Sequence, residues 1–182
     1  MMSISSGINL IWIQLKKMIN NYFGSDFHLG HTNVLRFDKR PFSSIEENDE
    51  YIIKQILSTC NYKDRYFYLG DFALTHPKKI SSYFEQLTST GIEFYFIKGN
   101  HDKKDMIKLY EKYGTYLGEQ KMVIVNEQRI VLNHYRMDVW EHSHHGSWHL
   151  HGHSHHSLPR RETSKCLDMG INGWEYSPVS FN

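Results

Sequence analysis

The sequence has little cysteine and almost no net charge, and each scarcity excludes a class of protein. Its two cysteines, Cys60 and Cys166, lie far apart and form no Cys-x-x-Cys pair. Neither a disulfide framework nor a thiolate zinc site is indicated, and a reducing cytoplasm is the expected location. Lysine and arginine number 21 against 20 for aspartate and glutamate, a formal net charge of +1. Stable binding of long nucleic acid is therefore not expected.

The sequence also lacks a long hydrophobic run, an internal repeat and a low-complexity linker. Its 182 residues fit one globular domain, which we place at residues 20–182. Residues 1–19 form an amphipathic leader, too short in apolar length for the roughly 20 residues that span a bilayer. We expect it to pack on the domain or to be an upstream extension, and no membrane partner is expected. Its apolar residues recur at helical spacing: Ile8, Ile11, Trp12, Leu15 and Ile19.

From residue 19 onward, short apolar runs alternate with helical periodicity, which is typical of an α/β fold. Ser43 and Glu46 form a capping box that opens the first predicted helix. Further helices are expected around Ile80 and after Asp102. The β-rich remainder contains a hairpin that turns at Asn126. The predicted strands are residues 22–23, 66–69, 94–97, 122–125, 130–132, 148–150 and 166–169, and the first helix is residues 43–58.

Polar side chains of the metal-ligand type follow three of these strands. Asp26 and His28 follow the first, Asp71 the second, and Asn100 and His101 the third. Taken singly, each is explained by turn chemistry or by a helix cap. Because loops at the carboxyl ends of strands face a common crevice, their recurrence predicts a shared site instead.

Histidine is abundant. Of 13 histidines, eight lie between His142 and His156, and imidazole is the commonest metal ligand in proteins. His134 follows another predicted strand, and a His-Gly-His-Ser-His run ends at His155. The histidine-rich segment from His142 to His156 alone could collect divalent metal. A metal-binding interaction scaffold without catalysis therefore stays open as an alternative.

Five motif blocks together resemble a known family. In order they are Asp26-x-His28, Gly70-Asp71, Gly99-Asn100-His101-Asp102, His134 and Gly152-His153-Ser154-His155. This order and spacing resembles the calcineurin-like metallophosphoesterase superfamily, in particular its small bacterial and phage members. The resemblance implies a four-layer α/β/β/α sandwich, in which two mixed β-sheets are flanked by helices and a metal site lies on loops at one edge.

The resemblance also implies a ligand set for two divalent metal ions. Asp71 would bridge them, with one ion completed by Asp26, His28 and His155 and the other by the remaining ligands. A nitrogen and oxygen donor set favours Mn, Fe, Zn, Co or Ni over Mg or Ca, and the resemblance favours Mn or Fe. The implied metal ligands are Asp26, His28, Asp71, Asn100, His134, His153 and His155.

The resemblance gives His101 a catalytic role, protonating the leaving group or hydrogen-bonding the phosphoryl oxygens. Two interpretations of the next residue stay open. Asp102 would orient the His101 imidazole and favour its cationic form, or it would cap the following helix.

Substrate contacts are expected in the loop after the first motif. His31, Asn33 and Arg36 could reach a phosphate as hydrogen-bond donors, and Arg136 is a further candidate. Lys39 and Arg40 are expected on the solvated surface. Five histidines match no motif position and could be partners of the ligands, substrate contacts or, for most of them, exposed polar residues: His142, His144, His145, His149 and His156.

The sequence therefore predicts a dinuclear metal-dependent phosphoesterase that hydrolyses a small phosphomonoester or phosphodiester by attack of metal-bound hydroxide. A nucleotide or a cyclic phosphodiester is the favoured substrate, and the absence of long insertions disfavours a protein phosphatase. The alternative is the catalytically inactive scaffold, which needs no His101.

Overall fold

The computed structural model describes residues 19–160 and 165–181, and two β-sheets form its centre. The first sheet has the strand order β4-β3-β2-β1-β9 and the second has β5-β6-β7-β8. Within the described residues, the strands are β1 (Asn21–Gly24), β2 (Arg65–Tyr68), β3 (Glu93–Ile97), β4 (Thr115–Gly118), β5 (Gln120–Val125), β6 (Gln128–Asn133), β7 (Trp148–His151), β8 (Cys166–Asp168) and β9 (Val179–Ser180).

Both sheets are mixed. In the first, β1, β2, β3 and β4 run parallel, and β9 is antiparallel to β1. In the second, β5 and β6 form an antiparallel hairpin, and β7 and β8 extend it in parallel. Asn126 and Glu127 turn the hairpin with φ of 48° and 65°, as a tight turn matched to strand twist requires.

Helices cover the outer face of the first sheet. They are α1 (Thr32–Phe37), α2 (Ile45–Thr59), α3 (Pro77–Thr88) and α4 (Lys104–Tyr113). The predicted capping box is wrong by one residue. The Oγ of Ser44 caps α2 by accepting the Glu47 N–H at 3.1 Å, and the Glu47 carboxylate accepts the Ser43 N–H at 2.7 Å. With its N-cap at Ser44, α2 buries Ile52 and Ile56 completely.

Two cores hold the layers together. The core beneath the helices is aromatic, with Phe72 stacked on Phe84 at 4.2 Å and Phe96 on Tyr110 at 4.3 Å between ring centroids. The core between the two sheets is mainly aliphatic and includes Leu132 from β6. Each such contact buries apolar surface at about 25 cal/mol per Å², so packing on both faces of the first sheet fixes its position.

The prediction of two mixed sheets flanked by helices is confirmed. The segment after β6 covers the outer face of β7: the Met137 N–H donates to His149 Nε2 at 3.1 Å, and the Trp140 ring lies 5.4 Å from that imidazole. This outermost layer contains the 3-10 turn Ser143–His145.

Helix α1 and strands β4 and β9 were not predicted from the sequence. The segment that begins at His31 was expected to be a loop, but residues Thr32–Phe37 form α1. Strands β4 and β9 were also missed, because one lies directly after a helix and the other has two residues. The predicted leader, residues 1–19, lies outside the described residues except for the exposed Ile19, so its separation from the domain stays a prediction. Among the described helices, none is long and apolar enough to cross a membrane.

Candidate metal centre

All seven predicted ligands lie in loops that leave the carboxyl ends of strands, and the structure brings them together where the two sheets meet. Backbone hydrogen bonds join these loops. The Asp26 N–H donates to the Gly70 carbonyl at 3.0 Å, and the Gly152 N–H donates to the His134 carbonyl at 3.0 Å. The ligands follow the strands in the order Asp26 and His28 after β1, Asp71 after β2, Asn100 after β3, His134 after β6, and His153 and His155 after β7.

Most of these ligands adopt a backbone conformation that L-amino acids rarely occupy. A positive φ of this kind costs free energy, and it persists only where the surrounding structure imposes it, often at functional sites. The loops are therefore held in a shape that aims their side chains at a common point. The ligands concerned are Asp26 at 60°, His28 at 49°, Asp71 at 62°, His153 at 67° and His155 at 45°.

Glycines in the motifs allow these loops to touch. A Cβ atom on Gly70, whose φ is +101°, would lie 2.5 Å from the Gly99 nitrogen. A Cβ on Gly152 would lie 2.6 Å from the Asp26 Oδ2 atom. Glycine is thus required at both positions for the ligand loops to approach this closely.

The first candidate ligand group consists of Asp26, His28 and His155, whose donor atoms lie within 4.8 Å of one another. The Nε2 atoms of His28 and His155 face each other at 3.2 Å. The other nitrogen of His155 lies 2.7 Å from Asp38 Oδ1, and a carboxylate accepts, so Nδ1 carries a proton. Nε2 is then directed at the other ligands, as a metal-binding imidazole requires.

The charges of this group fit a bound cation. Burial disfavours a charged His155, but hydrogen bonds to Asp26 and Asp38 outweigh it and raise the pKa of His155 to about 10. Burial lowers the pKa of His28 to about 4, which leaves that ring neutral and able to bind a metal.

The second candidate group consists of Asp26, Asp71 and His134. His134 Nδ1 donates to the Leu69 carbonyl at 2.7 Å, because a carbonyl oxygen only accepts. Its Nε2 atom lies 3.4 Å from Asp71 Oδ2 and 2.9 Å from Asn100 Oδ1.

His153 joins this second group through the same amide. Its Nδ1 atom lies 2.9 Å from Asn100 Oδ1. The oxygen and nitrogen atoms of the second group therefore converge, which is the arrangement that a divalent cation binds.

Asp71 lies between the two groups. Its Oδ2 atom is 3.8 Å from His28 Nε2 in the first group and 3.4 Å from His134 Nε2 in the second. Asp26 belongs to both groups. The donor set of carboxylates, imidazoles and one amide fits two divalent ions of the Mn, Fe, Zn, Co or Ni type.

The comparisons with known proteins agree with this geometry. A model of the family described as "Calcineurin-like phosphoesterase superfamily domain" matches residues 23–170. The chain belongs to this superfamily. Calcineurin-like phosphoesterases are phosphoester hydrolases that hold divalent metals, and the two ligand groups provide candidate sites for them.

Two individual proteins are similar to this chain, one in sequence and one in fold. A protein of Methanocaldococcus jannaschii described as uncharacterized protein MJ1445 is 33% identical over 167 residues, 88% of this chain and 86% of that protein. The crystal structure of a protein of unknown function, AQ665 from Aquifex aeolicus, has a TM-score of 0.70 at 21% identity and covers 90% of this chain and 96% of its own. That likeness shows a shared fold.

His101 lies at the rim of the phosphoesterase centre. Its side chain is 47% exposed, and its ring lies 5.5 Å from that of His28. The backbone N–H of His101 donates to Asp71 Oδ1 at 2.8 Å, which ties its position to the expected bridging ligand. It faces a cavity of about 220 Å³ that is also lined by His31 and Phe37.

Both interpretations of Asp102 require correction. The N-cap position of α4 is Lys103, and the buried Asp102 carboxylate instead accepts backbone N–H bonds from Gly99 at 2.7 Å and Asp71 at 3.0 Å. Both oxygens face main-chain donors, since a longer bond joins Oδ1 to Phe72. Asp102 therefore braces the two ligand loops and does not hydrogen-bond the His101 ring.

Of the expected substrate contacts, the structure brings His31 to the cavity. Asn33 and Arg36 lie on the exposed face of α1, where the Arg36 guanidinium is 5.1 Å from the Phe37 ring. Arg136 donates to the Pro159 carbonyl at 3.1 Å and lines a different cavity beside β8.

Two residues of the phosphoesterase site were missed in the sequence. Arg40 was expected on the surface, but it is buried and donates to the backbone carbonyls of Asp26 at 2.8 Å and Phe27 at 2.9 Å. It also pairs with Asp38 at 3.1 Å, and Asp38 bonds His155. The available indication was the Asp-x-Arg sequence at the end of α1, which resembles an ordinary surface turn.

The histidines outside the motifs divide into three kinds. His149 is buried in the second sheet with Nδ1 3.1 Å from the Val131 carbonyl, and burial lowers its pKa to about 4, so it is not one of the exposed histidines. His156 Nε2 lies 2.8 Å from the Gly170 carbonyl. The remaining three are exposed, as expected: His142, His144 and His145.

Proposed function

We propose that the protein is a dinuclear metal-dependent phosphoesterase that hydrolyses a small phosphomonoester or phosphodiester. A nucleotide or a cyclic phosphodiester is the favoured substrate. The observation that carries this proposal is the convergence of two ligand groups around Asp71, with His101 at the rim of the cavity above them. Metals bound there would activate water and neutralise phosphate charge.

The side chains around the centre have separate tasks in this proposal. The oxygen of water adds to phosphorus, and the bond from phosphorus to the leaving oxygen breaks. His101 Nε2 gives the leaving oxygen a proton, and the proton released by the water restores the imidazolium. His31, which lines the same cavity, hydrogen-bonds a phosphate oxygen. The N–H bond from His101 to Asp71 holds the proton donor beside the reacting phosphate.

We propose Mn or Fe as the bound metals and the cytoplasm as the location. The nitrogen-rich donor set supports a transition metal over Mg or Ca. Cys60 and Cys166 are both buried thiols in different parts of the fold, which agrees with a reducing compartment. The near-neutral chain supports a small substrate over stable binding of long nucleic acid.

The test is hydrolysis by the purified full chain after metal removal and reconstitution with Mn²⁺. We expect release of nitrophenol from p-nitrophenyl phosphate or bis(p-nitrophenyl) phosphate by the Mn²⁺-loaded protein and its loss with chelator. Hydrolysis of neither ester by protein that binds Mn²⁺ would contradict the proposal. That result would favour the inactive metal-binding scaffold.

A further inference from the structure

A second cavity adjoins the metal centre. Its volume is about 250 Å³, and Asn100 lines both this cavity and the one that His101 faces. A phosphate held at the metal ligands would therefore have open space on two sides. The second cavity is lined by Lys98, Gly99, Asn100, Glu119, Asn133 and Tyr135.

Tyr135 forms an aromatic wall of this cavity. Tyr135 is 49% exposed as a residue, and its ring lies edge-to-face on the rings of His153 at 4.7 Å and His134 at 5.2 Å. Its backbone N–H donates to Asn133 Oδ1 at 2.7 Å. The ring is thus held in place against two candidate metal ligands and presents exposed surface to the cavity.

The two cavities meet at Asn100 and otherwise have different linings. Of the two, His101 lines the first, where it packs beside His28, and Tyr135 lines the second, where it packs against His134 and His153. With His101 as the proton donor, the leaving group occupies the His101 cavity. The cavity beside Tyr135 then faces the part of the substrate that stays attached to phosphorus, and only a phosphodiester has such a part.

The lining of the Tyr135 cavity suits a flat, polar ring. An exposed aromatic ring stacks on a flat ligand ring, and base–aromatic stacking tolerates any base. Around it, Asn133 and the Lys98–Glu119 pair, whose atoms are 2.7 Å apart, place polar groups at the edge of the cavity. These groups match the polar edges of a nucleobase better than an aliphatic chain.

We propose that the Tyr135 cavity is a subsite for the retained side of a phosphodiester, where the base of a nucleoside stacks on Tyr135. This inference rests on the proposed function and deepens it. It assigns the centre to phosphodiesters with a nucleoside on the retained side, with Tyr135 as the specificity-determining residue.

The test uses two diesters with the same leaving group. Thymidine 5′-(p-nitrophenyl) phosphate retains a nucleoside, whereas methyl p-nitrophenyl phosphate retains a methyl group. We expect the Mn²⁺-loaded wild type to prefer the thymidine ester at least tenfold in kcat/KM, mainly through KM. Tyr135→Ala should reduce this preference to near one, and Tyr135→Phe should keep it.

Tyr62→Ala is the matched control. Tyr62 is an exposed tyrosine, 64%, outside both cavities, so its loss should leave the preference unchanged. Metal content is measured for every variant, because Tyr135 touches two candidate ligands. An unchanged preference in Tyr135→Ala, an equal loss on both esters, or no preference in the wild type would overturn the subsite. Hydrolysis of neither diester by a wild type that hydrolyses p-nitrophenyl phosphate would overturn the subsite alone. Hydrolysis of none of these esters would overturn the proposed function, and the subsite with it.

Discussion

Asp38 illustrates how a single residue outside the motifs acts on the centre. It accepts a hydrogen bond from His155 Nδ1 at 2.7 Å, and Arg40 holds it from the other side at 3.1 Å. A carboxylate behind a metal-binding imidazole fixes the proton on the far nitrogen and makes the near nitrogen a better ligand. Asp38 is therefore a positioning residue for His155.

We expect Asp38→Asn to weaken Mn²⁺ binding about 10- to 100-fold, because an amide orients the imidazole less strongly than a carboxylate. Calorimetric titration of the metal-free protein with Mn²⁺ measures this. Asp105→Asn is the matched control, since Asp105 is exposed and pairs with the surface residue Lys108 at 2.8 Å. An affinity equal to that of the wild type, with an unchanged melting curve, would contradict the role of Asp38.

Substitution of His101 distinguishes metal binding from catalysis. We expect His101→Ala to keep the metal content and to lower kcat by about 10² to 10⁴, the usual contribution of a positioned acid. The loss should be smaller for aryl esters than for alkyl esters, because an acidic phenol leaves without a proton. Steady-state kinetics on a matched aryl and alkyl pair measures the difference.

Two outcomes would change the role of His101. An equal loss of kcat on both esters would show that it stabilises charge on the phosphoryl oxygens instead. Unchanged kcat on both would exclude a catalytic role.

The candidate ligand residues could be predicted from the sequence, but the residues that hydrogen-bond these ligands and their loops could not. The ligands stand in short motifs with glycine, such as Gly70-Asp71, so spacing alone indicated them. Asp38 and His155 lie 117 positions apart, and nothing local relates them. Asp102 was misassigned because its partners are backbone N–H groups of two different loops, which no side-chain pattern encodes.

At the scale of elements, apolar runs predicted the strands that carry the site. Strands β2 and β3 each continue as an apolar run after one charged residue, and each is followed by a glycine-containing loop. Helix α1 was missed because it spans six residues and buries one of them, Val34, so it has no helical periodicity. Sequence patterns do not predict short elements that depend on tertiary contacts.

The carboxyl-terminal end of α2 offers an element-scale prediction through Cys60. Burial, reinforced by Asp64, raises the pKa of the Cys60 thiol from 9.0 to about 12. At pH 8 the folded Cys166→Ser variant should react with a thiol reagent far more slowly than the same chain in denaturant. Reaction progress followed by absorbance measures both rates.

The raised pKa of the Cys60 thiol also predicts that the stability of the fold depends on pH. A pKa raised by folding stabilises the folded state fully below pH 9, and this stabilisation is lost as pH rises through 12. Free energies of unfolding should therefore fall less in Cys60→Ala than in the wild type over this range.

The labelling experiment has a contradicting outcome. Rapid labelling of Cys60 in the folded chain at pH 8 would show that the carboxyl-terminal end of α2 opens readily.

On the scale of the whole molecule, the metal centre joins the two sheets. Asp26, His28, Asp71 and Asn100 come from loops of the first sheet, and the remaining ligands come from loops of the second. The sheets already share an apolar core, so the fold does not depend on the metals for its main packing. Metals bound there would instead hold together loops whose backbone is already constrained.

Elemental analysis of the Mn²⁺-reconstituted protein tests the proposal that two metals share Asp71. After removal of excess Mn²⁺, we expect about two metal ions per chain in the wild type and in Asp105→Asn. Asp71→Asn should lose both together, because its carboxylate faces both ligand groups. Two tightly bound ions retained in Asp71→Asn would contradict the shared ligand and, with it, this account of the centre.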